Sequence, residues 1–218
     1  MDRIEIIHTP PTASESFWDY SNRIYRKTGV TQCCLSLQDL YGLDVNLLLF
    51  ACWHARSRGL FAPATLNDAL AFSSAWSVHV VNPLRNARRW MKTQMQNDAL
   101  PLEDTAFTAK FSNLREQIKG IELQCEKFQE HTLESLATAP ELSLSLEMQI
   151  TSAVYNLHCL LDDGANPPHI PPPLPLRDFL AALILNALDQ DPDDPVILQA
   201  VSRELTVQAH DLPADVRR

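Results

Sequence analysis

"LYGLDVNLLLFACWHARSRGL", residues 40–60, sets an aspartate, Asp44, and an asparagine, Asn46, at the head of a run without a charge from Leu47 to Trp53. A carboxylate in that place accepts bonds from the free N–H groups of a first helical turn and meets the positive end of the helix dipole. Leu43 and Leu48 hold the spacing of a hydrophobic staple, and Gly59 after Arg56 and Arg58 is a C-terminal stop. The spacing therefore predicts a helix over Val45–Arg58, with Asp44 as its structural cap, worth about 1 kcal/mol, rather than a catalytic acid. Because this helix is apolar most of the way round, it belongs at the centre of the molecule, enclosed by others.

The flanking segments read the same way. One helix is expected from Glu15 to about Lys27, capped by Ser14 or Ser16, and a second from about Thr31 to Leu40. Thr65 opens a fourth that runs through Val80, and Asn82-Pro83 then marks a kink or a new cap before a helix over Leu84 to about Gln96. Beyond Pro101, Phe107, Phe111, Leu114, Ile118, Ile121, Cys125 and Phe128 recur at alternating four and three, the pattern of a long helix laid against another. Further helices are expected over Leu144–Leu161, Leu176–Leu188 and Val196 to about Gln208. No useful segment alternates with period two. The fold class is all-α, an irregular multi-helix bundle around the central apolar helix, with a proline-rich connector and two short C-terminal helices. The expected organisation is a main domain over residues 14–164, a linker over 165–175 and a C-terminal helical pair over 176–210, with flexible ends at 1–13 and 211–218.

Composition narrows the function classes. The chain has 218 residues, of which 45% are hydrophobic and 21% charged, as in an ordinary globular protein. A net charge of -9 repels nucleic-acid phosphates and anionic lipid, so neither is an expected partner. The start carries an acid at position 2 and no apolar h-region, and the longest apolar runs fall short of the ~20 residues of a membrane span, so a cytoplasmic protein is expected. Cys33, Cys34, Cys52, Cys125 and Cys159 lack a C-x-x-C spacing and sit among apolar residues, the pattern of reduced structural thiols.

Phe17-Trp18, Cys34-Leu35-x-Leu37-Gln38, Gly42-x-Asp44-Val45-Asn46-x-Leu48-Leu49-Phe50, Trp53, Val80-Val81, Pro83-Leu84-Arg85, Arg88-Arg89 and Lys92 carry a likeness. Over about residues 17 to 92 the chain resembles a bacterial family of small helical proteins known only as a domain of unknown function. The resemblance implies a bacterial cytosolic origin and brings no activity, and the two final helices lie beyond the family's usual extent.

Arg85, Arg88, Arg89 and Lys92, at i, i+3, i+4 and i+7, share one helical face and form a positive stripe in an acidic chain. Guanidinium groups bind phosphate or carboxylate in bidentate fashion. The plainer account is that these side chains pair with Asp39, Asp44, Glu15 or Asp19, or face water. Trp90 lies beside the stripe, and Asn46 either presents its amide to a ligand or bonds a neighbouring loop backbone. Glu122, Glu126, Glu130 and Glu134 read as the solvated side of the long helix. There is no H-E-x-x-H, no nucleophile elbow and no glycine-rich phosphate loop, so no metal, cofactor or catalytic residue is expected. The favoured function is a non-enzymatic interaction or adaptor module that binds a protein partner, or forms a homodimer, through the Arg85–Lys92 face or the heptad helix. The alternative is a sensor or enzyme holding a small anion between the Val45–Arg58 and Pro83–Gln96 helices, contacted by Asn46, Arg85 and Arg88.

Overall fold

A computed structural model of the chain describes residues 15–96, 105–162 and 174–206. The expected flexible ends and most of the proline connector lie outside the described residues. Within them the structure is all-α. In chain order the helices are α1 (Phe17–Tyr25), α2 (Val30–Tyr41), α3 (Val45–Ser57), α4 (Pro63–Trp76), α5 (Asn82–Gln96), α6 (Thr105–Leu136), α7 (Leu146–Leu161), α8 (Leu174–Ala187) and α9 (Pro195–Glu204).

The central position of α3 follows from its composition, since every residue from Leu47 to Ala55 is buried. Helices α1, α6, α7 and α8 enclose it, and α7 packs along it most extensively. Phe50 forms an aromatic cluster with Phe17, Trp53 and Phe61 at centroid separations of 5.4–6.0 Å. Among these rings His54 is fully buried, with Nδ1 3.1 Å from the Gly59 carbonyl oxygen. Burial drives its pKa down to about 4, so it is a neutral core residue. The two C-terminal helices share this core. Leu180, Leu183 and Ile184 of α8 join Leu37 and Phe50 in one buried cluster, and α9 adds Val201.

Two boundaries differ from the sequence expectation. Helix α4 starts at Pro63 instead of Thr65, because proline at the first helical position has no N–H to leave unpaired. At Asn82-Pro83 no new cap forms. The chain passes from α4 to α5 through a π-helical turn, Ser77–Val81, in which the Asn82 N–H donates to the Ser77 carbonyl. Proline at 83 has no N–H, and its ring crowds the carbonyl one turn back; the widened turn relieves that clash while the helix continues.

Asp44 caps α3 as expected, and does more. Its Oδ1 accepts from the Asn46 and Leu47 N–H groups at 3.0 and 3.3 Å. Its Oδ2 accepts from Ser73 of α4 at 2.5 Å, from Ser77 of the π turn at 3.1 Å and from the Gln129 amide of α6 at 2.7 Å. One carboxylate thus fixes the start of the central helix to three other segments. Asp44→Ala is expected to lower stability by about 2–4 kcal/mol in denaturant unfolding, the sum of the lost cap and the stranded Gln129 and serine groups, rather than the ~1 kcal/mol of a cap alone.

Candidate functional site

Helix α6 inverts the expectation from its heptads. Phe107, Leu114, Ile121 and Phe128 are 42, 50, 48 and 53% exposed, while Glu122, Gln129 and Glu130 are buried. The acidic row is therefore an inward face and not the solvated one. The reason is polar satisfaction. Across from α6 lie the guanidinium groups of α5, the α3 cap and the hydroxyls of α1 and α4, and buried polar groups must be bonded. Only the stripe 122, 126, 129, 130 can bond them.

The basic stripe resolves accordingly. Arg85 donates from Nε to Glu122 at 3.1 Å and from Nη2 to Glu126 at 2.6 Å, and Arg88 grips Glu122 with two bonds of 2.5 and 3.1 Å. Burial pushes the Glu122 carboxyl up, but the Arg88 and Arg85 bonds outweigh it and leave it below its ordinary value. For Glu126, burial prevails over its Arg85 bond and the value rises. Arg89 pairs with Asp39 at 3.0 Å, both side chains about half exposed. Lys92 is exposed, and Trp90 is 55% exposed. Asn46 bonds the Gln129 side chain at 3.0 Å, not a loop backbone, because Gln129 arrives at the α3 cap from α6. The structure therefore joins Asn46, Asp44, Arg85 and Arg88 through α6 and leaves Arg89, Lys92 and Trp90 toward solvent.

Beside this layer a cleft of about 280 Å³ opens between α1, α2, α3, α5 and α6. Trp18, Tyr25, Leu35 and Leu123 form its apolar walls, with Asn22, Asn46, Arg85, Glu126 and Glu130 supplying polar groups. Glu130 is the least expected of them. Ser21 donates to its Oε2 at 2.7 Å, and no cation among the described residues pairs with it. Burial raises its pKa to about 8, the Ser21 bond opposing and Glu126 and Asp44 adding to the rise. A glutamate in an i, i+4 acid row gives no sign of this in sequence, since most of what surrounds it comes from helices distant along the chain.

A second cluster also escapes sequence reading. Asp189, with φ of 58°, receives Arg23 and Lys27 at 2.6 Å and Arg56 at 2.7 Å, binding the end of α8 to α1 and α3. All five cysteines are free, and burial raises the Cys33 thiol to about 11 and those of Cys34 and Cys52 to about 12. Among the described residues no group of three or more His, Cys, Asp or Glu is placed to hold a metal, and no helix is long and apolar enough to cross a membrane.

An all-helical chain built on a capped apolar helix, with an ion-paired α5–α6 layer beside it, defines the class of protein. The chain belongs to the family described as proteins of unknown function, DUF2390, which matches residues 16–133. That span takes in α1 to most of α6, and with them the Asp44 hub, the arginine–glutamate layer and the cleft. No curated protein and no solved structure matches the chain.

Two measurements follow. Replacing Arg85 and Arg88 together by alanine strands Glu122 and should destabilise the fold by about 2–3 kcal/mol in chemical unfolding, somewhat less than full burial would give, because the guanidinium groups are about one-fifth exposed. Glu130 contributes the opposite pH dependence to a salt-bridged acid. Its folded value, about 8, lies above the unfolded value of about 4.3, so its share of stability is complete below about pH 4.3 and is lost as pH rises through 8. Glu130→Gln should therefore unfold at higher denaturant than the wild type at about pH 8 and at nearly the same denaturant at about pH 4.

Proposed function

We propose that this protein is a non-enzymatic helical interaction module that works through the outward face of α6, and that its partner is a second copy of the same chain. The inversion of α6 carries this reading: a strict four-three repeat is the seam of a coiled coil, and four of its apolar positions are about half exposed, of which only Phe128 also rests on the body, against Trp76. The residues beside them, Lys110, Gln117, Gln124, Thr132 and Ser135, include no acid. In a chain of net charge -9 that matters, because two like-charged bodies can approach only along a face free of carboxylates. The pairing is antiparallel. The C-terminal half of α6 is buried against α1, α3 and α4, so antiparallel pairing sets the two acidic bodies at opposite ends of the seam.

From Phe107 to Phe128 the seam runs about 32 Å along one helix, a narrow contact. A contact one helix wide is small beside the ~800 Å² per partner of a standard interface, so the dimer is reversible. The favoured role of Arg85 and Arg88 in this reading is internal, since both are committed to Glu122 and Glu126. That commitment weighs against the anion-binding alternative.

Sedimentation of the full chain across a micromolar concentration series should show a monomer–dimer equilibrium. Leu114→Glu with Ile121→Glu should shift it to monomer while the helical circular dichroism stays unchanged, because both side chains are half exposed. A wild type that remains monomeric throughout, or a double variant that still dimerises, would overturn the proposal.

A further inference from the structure

The cleft beside Glu130 is independent of the α6 seam, and its chemistry is specific. Glu130 is 5% exposed and lines the cleft, its Oε2 is held by Ser21, and its Oε1 has no hydrogen-bond partner among the described residues. Asn22 commits its amide nitrogen to the Trp18 carbonyl at 2.7 Å, and Asn46 commits its own to Gln129 at 3.0 Å, so each leaves an amide oxygen as its uncommitted end. Glu126 uses one oxygen on Arg85 and keeps the other. Around Glu130 the uncommitted ends of Asn22, Asn46 and Glu126 are thus acceptors, while Arg26, Gln38 and Arg85 bring donors to the same cleft. The two arginines and two glutamates of the α5–α6 layer balance, and although the exposed Arg26 also lines the cleft, Glu130 is a buried acid with no ion-pair partner among the described residues. Tyr25 adds an aromatic ring, which attracts cations, while the Trp18 ring already carries the Lys127 ammonium at 5.0 Å, and Leu35, Val45, Leu49 and Leu123 make the rest apolar.

We infer that this cleft binds a small primary amine in its ammonium form, with an apolar tail, the ammonium pairing with Glu130 and the tail lying along Leu35 and Leu123. Pairing draws the proton off the Glu130 carboxyl into solvent, so binding at neutral pH releases close to one proton. The other groups that face Glu130 set the background of this titration. They are Glu126 and Glu134 on α6, Asp44 at the α3 cap, Arg85 on α5 and the exposed Arg26 and Tyr25 at the end of α1. Below about pH 8 the affinity rises about tenfold per pH unit, because the amine has to displace that proton, and above it the dependence flattens.

Three probes of one shape test this: 2-phenylethylammonium, neutral 2-phenylethanol and anionic phenylacetate. Titration calorimetry of the full chain, in buffers of different ionisation enthalpy at neutral pH, should show binding of the cation with release of about one proton and much weaker binding of the other two. Glu130→Gln keeps the side-chain shape and should lose both the proton release and the preference for the cation, with its helical spectrum intact. Tighter binding of phenylacetate, or equal binding by all three, would overturn the inference. So would an absence of binding, or a Glu130→Gln variant that still selects the cation. None of these outcomes depends on the oligomeric state, which Leu114→Glu with Ile121→Glu reports separately.

Discussion

The Asp44 carboxylate and the Gln129 amide that meets it form the joint on which the arrangement of helices depends. A helix as apolar as α3 has no preferred rotation about its own axis, since almost any face is content in a core. Its one polar end supplies the missing constraint. Asp44 carries the two backbone bonds of the α3 start on one oxygen and the side chains of α4, the π turn and α6 on the other, while Asn46 bonds the far side of the same Gln129. Gln129 is 1% exposed and uses its whole amide on this joint. Directional bonds of this kind specify an arrangement that apolar packing alone would leave degenerate.

The rotation of α6 is a consequence. Once Gln129 is fixed toward Asp44, residues up to two turns before it and one turn after it follow it inward, bringing Glu122 and Glu126 to the arginines of α5, Glu130 to Ser21, and Leu133 into the core. The heptad residues, offset around the helix from that stripe, then turn outward, with Phe107, Leu114 and Ile121 about half exposed and Phe128 resting against Trp76 at 4.9 Å. Two features that look unrelated, the exposed apolar stripe and the acid-lined cleft, are opposite flanks of the same rotated helix.

Much of the fold was legible because its signals are local. The staple around Leu43 and Leu48, the Asp44 cap, and the glycine stops at Gly42 and Gly59 need only neighbouring residues to act, and they placed α3 and its flanks closely. The site was less legible because its signals are not local. Periodicity identified the two faces of α6 correctly but assigned them the wrong way round, since it weighs apolar burial and cannot see that three other helices present unpaired donors. The arginines of α5 were visible as a stripe, yet their partners lie 34 to 41 residues away on α6. Asp189 carries no sequence mark at all; it matters because α8 returns beside α1.

The buried ion pairs of α5 and α6 also bear on why the cleft next to them carries an unpaired acid. Arg85 and Arg88 are fully matched by Glu122 and Glu126, so the layer is neutral and makes no demand on a further carboxylate. A leucine at 130 would fill that position at less cost than a glutamate whose charged form burial opposes, and Ser21 would lose little, since it also bonds the Trp18 carbonyl. The acid is therefore not explained by stability: it lowers stability across the neutral range, where the carboxylate has to take up a proton on folding. A residue that weakens the fold while opening one oxygen to a cavity is better understood by what that oxygen can hold than by what it supports.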